Sequence, residues 1–310
     1  VFGVLQGFTV ILVIIGAGYL TGRLGIVKGE QRRVLNNVAF YVAMPAMLFG
    51  VLLRSDPKVL ISPVMLVTTL SAIAAALLFV VASRLWFKRD FAATTLGATA
   101  SGYVNSNNLG LPVAMYILGD AAYVAPLLLV QLIVFAPVTL SILDFSRSGG
   151  SSSAFKTATQ ALGRTLRSPI IIATAAGYLC ALFAVPVPQL IVEPLDMLGA
   201  ASIPMVLLSF GISLHGQRPL TAGSGRAASL TASGLKVVGM PLIAFGLSLA
   251  FGLDPHATFV ATTIAALPTA QNVYTYAVTY QRGEVLVRDT VFLTTFASLP
   301  VLAAIALLLG

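Results

Sequence analysis

The sequence predicts an all-α polytopic membrane protein: ten transmembrane helices arranged as a 5+5 inverted repeat, with two proline-broken helices crossing near the midplane. Three observations carry this expectation. The 310 residues are 58% hydrophobic and 9% charged, with a mean hydropathy of +0.96, far outside the range of soluble globular chains. Apolar runs long enough to cross ~30 Å of hydrocarbon at ~1.5 Å per residue recur along the whole chain. Short motifs of the first half also return, in the same order, in the second half.

Taken in order, the runs cover approximately residues 3–22, 31–53, 59–86, 91–118, 121–145, 169–185, 188–214, 227–252, 256–281 and 285–309, cut at charged or Gly/Pro/Ser-rich joints. The one long polar joint runs from Phe145 to Ser168. It divides the chain into a first five-helix repeat (1–145), a linker (146–168) and a second five-helix repeat (169–310). Charge then sets direction. Of the 18 Lys and Arg residues, 16 lie in joints after odd-numbered spans or at the adjacent helix ends, whereas Arg54 and Lys58 alone lie after even-numbered ones, beside Asp56. By the positive-inside rule the odd joints and the linker are cytoplasmic and both termini are outside, as expected of a multi-pass protein of the cell membrane. The net charge of +8 is therefore read as a topology signal and not as a nucleic-acid surface. A single cysteine, Cys180, excludes an intrachain disulfide and a thiolate metal cluster, and no metal site or cofactor is expected.

The repeat is carried by four markers. "AGYL" at Ala17–Leu20 returns at Ala176–Leu179, an offset of 159 residues, and the same offset takes Pro45 to Pro204. Leu111-Pro112 returns as Leu267-Pro268, and Pro137-Val138 as Pro300-Val301. A five-span unit followed by its copy enters the bilayer from the opposite side, which is the usual frame of secondary transporters. Proline removes a backbone donor and clashes with the carbonyl four residues back, so breaks are expected at Pro112 and Pro268, with further helix breaks at Pro45 and Pro204. Broken backbone inside a bilayer persists only against protein or a wet cavity.

Polar residues cluster beside these two matched prolines: Asn105, Asn107, Asn108 and Gly110 before Pro112, and Thr269, Gln271 and Asn272 after Pro268. Helix starts present unpaired N–H groups and about half a positive charge, and neutral amides donate to an anion without the desolvation cost of a full charge. The set Asn105, Asn107, Asn108, Gly110, Pro112, Pro268, Thr269, Gln271 and Asn272 is thus the expected binding site for a small organic anion, with Asn105 and Asn272 as the preferred ligands. The alternative is that these amides only bridge neighbouring helices. Lys236, before Pro241, is either a snorkelling end residue or an internal cation that could serve as a charge partner. Neither crossing segment contains a carboxylate, which disfavours a sodium/proton exchanger with buried titratable ligands and leaves coupling to proton or sodium open. His215 and His256 both fall near loops, and no catalytic constellation is present, so no enzyme is expected. A membrane sensor that binds a small ligand on the same framework is the rival reading.

The stretches Asn105–Asp120, Ala265–Tyr280, Asn36–Phe49 and Leu235–Pro241 resemble the auxin efflux carrier family, whose members include plant auxin exporters and bacterial organic-acid permeases. The resemblance covers nearly the whole chain. It implies a sodium/proton antiporter-like fold, with spans one, two, six and seven as a scaffold and spans three to five and eight to ten as a moving transport domain. It also implies a carboxylate held near Asn105, Pro112 and Pro268, malate- or malonate-like substrates, and a homodimer through span two or seven. The short central loop departs from the plant members, whose long hydrophilic insert is missing.

Overall fold

The computed structural model describes residues 2–56, 62–147, 160, 162–163, 166–215 and 226–310. Most of the expected linker, and with it Lys156 and Arg164, lies outside the described residues, as do Lys58 and Arg218.

Among the described residues every regular element is helical. Six helices are long and apolar enough to cross a membrane: α2 (Gly29–Arg54), α3 (Pro63–Phe87), α6 (Ala121–Arg147), α8 (Gln189–Leu214), α9 (Arg226–Ala250) and α12 (Glu284–Leu309). Two more apolar helices are α1 (Phe2–Arg23) and α7 (Pro169–Leu182). The rest are paired pieces, α4 (Phe91–Gly102) with α5 (106–118), and α10 (Pro255–Ala266) with α11 (Gln271–Tyr280). The first pieces are built alike: each is 12 residues long and starts on an aspartate cap, Asp90 accepting from Ala93 N and Asp254 from Ala257 N.

Prolines interrupt the helices at fewer places than expected, and the reason is local. Widened π turns at Ala39–Ala43, Ser106–Gly110, Gln131–Phe135 and Leu235–Gly239 each end just before Pro45, Pro112, Pro137 or Pro241. Shifting the hydrogen bonds by one residue moves the carbonyl that the ring would strike, so the helix continues. Pro45 therefore lies in an unbroken α2, and Pro112 lies inside α5. At Pro204 the interruption is a single turn residue, Ala201, in α8.

Packing falls into two groups. In one, α1 lies along the second part of α8, and α2 packs on α7 and the first part of α8. The approach of α1 and α8 requires glycine: a Cβ on Gly18 would sit 2.3 Å from Leu208 O, and one on Gly211 would sit 2.1 Å from Ile15 O. Arg54 and Asp196 add an ion pair between α2 and α8. In the other group α3 packs on α4 and α9, and α9 and α12 close over α10.

Candidate functional site

The two interrupted segments meet at their breaks. α4 ends at Gly102 and α5 starts at Ser106; α10 ends at Ala266 and α11 starts at Gln271. The connecting residues run antiparallel past each other, with Val104 opposite Thr269. Asn105 N donates to Pro268 O at 2.8 Å, and Ala270 N donates to Tyr103 O at 3.2 Å. Backbone groups that the interruptions free thus satisfy one another, as an interior without water demands. The first break differs from the expectation: it lies at Tyr103–Asn105, and Pro112 is carried through by the π turn before it. Pro268 does lie within the second break.

Side chains complete the crossing. Thr269 Oγ1 donates to Ala100 O at 2.6 Å, and Thr269 N donates to Thr294 Oγ1 at 3.1 Å. Gln131 of α6 donates through Nε2 to Val104 O at 3.0 Å and accepts from Ser106 Oγ at 2.7 Å. Lys236 is fully buried, and its ammonium donates to Ala265 O at 2.8 Å. It is therefore an internal residue and not a snorkelling end residue.

A cavity of about 1010 Å³ opens against one side of this crossing. Asn105, Asn107, Asn108, Gln271 and Asn272 border it. Gly110, Pro112, Pro268, Thr269 and Lys236 do not. Gly110 stands behind the wall, where a Cβ would come within 3.2 Å of Asn105 O and 3.3 Å of Leu267 Cδ1. Asn105 is only 3% exposed; its Oδ1 caps α5 by accepting from Asn108 N at 3.0 Å, which leaves Nδ2 buried without a partner. Asn107 Oδ1 is likewise buried and unpartnered. A buried polar atom left unpaired costs about 1–3 kcal/mol, so these amides are poised for a ligand or water. α11 starts with no side-chain cap. Gln271 Nε2 donates to Ser213 Oγ of α8 at 3.1 Å, and Asn272 Nδ2 donates to Tyr276 OH at 3.4 Å.

Several lining residues were not singled out in the sequence: Tyr103, Gln131 and Tyr276 near the crossing, Asn36 and Asn37 on α2, and Glu30, Arg32 and Arg33 at its start. Gln131 had a readable signal, an amide within an apolar run. The α2 residues looked like an ordinary basic joint, and only tertiary packing brings them to the cavity. Among the described residues no group of His, Cys, Asp and Glu could hold a metal ion.

An all-helical framework with apolar spanning helices, wrapped around crossed helix breaks that face a polar cavity, defines a polytopic membrane protein of the solute-handling class. The family model described as "Membrane transport protein" matches residues 4–306, and the chain belongs to that family, the auxin efflux carrier family. It is 29% identical to a protein of Rhizobium meliloti named "Putative malonate transporter", over 91% of this chain and 88% of that one. It is 27% identical to an "Uncharacterized transporter" of Methanothermobacter thermautotrophicus, over 93% of each chain.

Proposed function

We propose that the protein is a secondary active transporter of small organic anions, mono- or dicarboxylates, working by alternating access at the crossed breaks. The observation that carries this reading is the buried, unpartnered Nδ2 of Asn105, a residue that borders a large cavity together with the uncapped start of α11. A carboxylate there would satisfy that donor and the first amides of α11, and would meet the positive end of a helix dipole. Arg32 and Arg33 against Glu30 give the mouth a positive balance that draws anions in. The name of the Rhizobium relative favours short dicarboxylates as the first substrates to try.

In this reading the helices form ten spans as two inverted five-span repeats, α4 with α5 and α10 with α11 each counting as one span. The α1, α2, α7 and α8 group is the scaffold, and the group around the crossing moves against it. With both termini outside, the start of α2 is cytoplasmic, and the cavity is the inward-open form of the site. The test is uptake into proteoliposomes of labelled mono- and dicarboxylates. Saturable accumulation of at least one short acid is expected, and a flat response across the panel rejects the proposal.

A further inference from the structure

A second hollow, a groove of about 460 Å³, runs between α3, α4 and α6, and Tyr103 is the residue it shares with the polar cavity. Each helix gives it one face: the lining positions follow helical spacing from Ala72 to Arg84 on α3, from Phe91 to Gly102 on α4, and from Val134 to Ile142 on α6. Leu77, Val134 and Val138 of this lining are exposed, and α3 and α6 are long and apolar enough to cross a membrane, so the groove opens to lipid. Its walls ask for nothing polar. The hydroxyl of Thr94 is bonded to that of Ser83 at 2.7 Å, Thr95 donates to Phe91 O at 2.9 Å, and Thr99 donates to Thr95 O at 2.9 Å and meets Thr139 at 3.2 Å, which leaves hydrocarbon surface for an occupant.

The two ends differ. At one, Gly102 lets α4 close on α3, where a Cβ would sit 2.4 Å from Ala72 O, and Tyr103 meets Phe135 edge-on with ring centroids 6.4 Å apart. At the other stands Arg84, exposed and close in sequence to the exposed Trp86, a residue type that marks the membrane–water interface. Among the described residues no carboxylate pairs with Arg84, and the nearby Asp90 is occupied in capping α4. The step from Ala72 to Arg84 rises ~18 Å at ~1.5 Å per residue. That is close to the ~15 Å of hydrocarbon in one leaflet, half of a ~30 Å core.

We propose that this groove binds one acyl chain of an anionic phospholipid, with the phosphate on Arg84 and the chain end against Gly102 and Tyr103. Lys88, one turn beyond Arg84, adds positive charge at the headgroup end and favours a net negative headgroup over a zwitterionic one. The chain end braces the residue at which the first break begins, so the bound lipid stabilises the crossing. In the orientation proposed above it belongs to the cytoplasmic leaflet. The site is separate from the substrate cavity and does not rest on the transport reading.

The test uses the full-length protein, delipidated in a neutral detergent, and records melting as phosphatidylglycerol, phosphatidylcholine or inorganic phosphate is added. Phosphatidylglycerol is expected to raise the melting temperature saturably, at a concentration about fivefold lower than phosphatidylcholine needs, and inorganic phosphate is expected to have no effect. Arg84→Gln is expected to bring the phosphatidylglycerol titration onto that of phosphatidylcholine. Occupancy of the groove is read with phosphatidylglycerol carrying a photoreactive diazirine at its chain end. Label is expected to concentrate at the deep end, around Ala72 and Gly102, and to be lost in Ala98→Phe, which fills the groove. Equal stabilisation by the two lipids, or label spread evenly over the exposed apolar helices, overturns the proposal. Should Ala98→Phe fail to fold, wild type decides: deep-end label that excess unlabelled phosphatidylglycerol competes away supports the site, and label that resists competition contradicts it. Neither readout involves transport, so a flat uptake panel leaves both intact.

Discussion

Asn105 does two jobs with one side chain. Oδ1 closes the first turn of α5, and Nδ2 is left buried without a partner in a residue that borders the cavity. Asn105→Asp keeps the acceptor that caps Asn108 N and replaces the donor by a second, negatively charged oxygen. The substitution is therefore expected to leave folding close to wild type while raising the apparent KM for a carboxylate by about tenfold or more, since a hydrogen bond to a charged group is worth ~1.5–3 kcal/mol. Titrated uptake alongside a melting curve separates these effects. Arg32 and Arg33, which line the cavity, act at longer range. Neutralising both to Gln should slow uptake at low substrate and flatten its dependence on ionic strength, measured between low and physiological salt, because charges in contact with solvent steer over about one Debye length.

For the helical elements, the instructive contrast is between the two matched prolines. Pro112 lies in an α5 that a π turn already accommodates, whereas Pro268 sits in the break and lends its carbonyl to Asn105 N. Pro112→Ala is expected to preserve uptake within about threefold, because the break at Tyr103–Asn105 does not depend on that ring. Pro268→Ala adds a donor and frees the backbone where the chain must stay extended, and is expected to cost about tenfold in uptake and some stability. The sequence made the existence of two interrupted segments legible, because matched Leu-Pro pairs beside amides stand out in apolar runs. It did not make the position of the first break legible. Whether a helix breaks at a proline or widens ahead of it depends on hydrogen bonds with neighbours, here the antiparallel pairing with Pro268 and Ala270 and the Gln131 amide that holds Val104 O. The same limit hid the cavity's other wall, since nothing local in Asn36, Asn37 or Arg32 points to α11.

At the scale of the whole molecule, two groups of helices meet around the cavity. The α1–α8 seam is backbone against backbone, with Gly18 and Gly211 facing each other's helices. Gly211→Leu should lower the melting temperature clearly, at a cost of roughly 1–3 kcal/mol or more for an overpacked contact, without changing substrate specificity. Between the groups, Gln271 of α11 reaches Ser213 of α8. If the crossing moves against the scaffold, a cross-link between cysteines placed at 271 and 213, in a Cys180→Ser background, should abolish uptake reversibly on oxidation and reduction. Unchanged flux in the oxidised protein would reject relative motion at that contact. The central claim is that a carboxylate rests where the broken helices cross, and the most direct measurement is a structure determined with a transported acid bound. The account predicts the carboxylate within hydrogen-bonding distance of Asn105 Nδ2 and the first amides of α11; an acid seated elsewhere, with Asn105 still unpartnered, would contradict it.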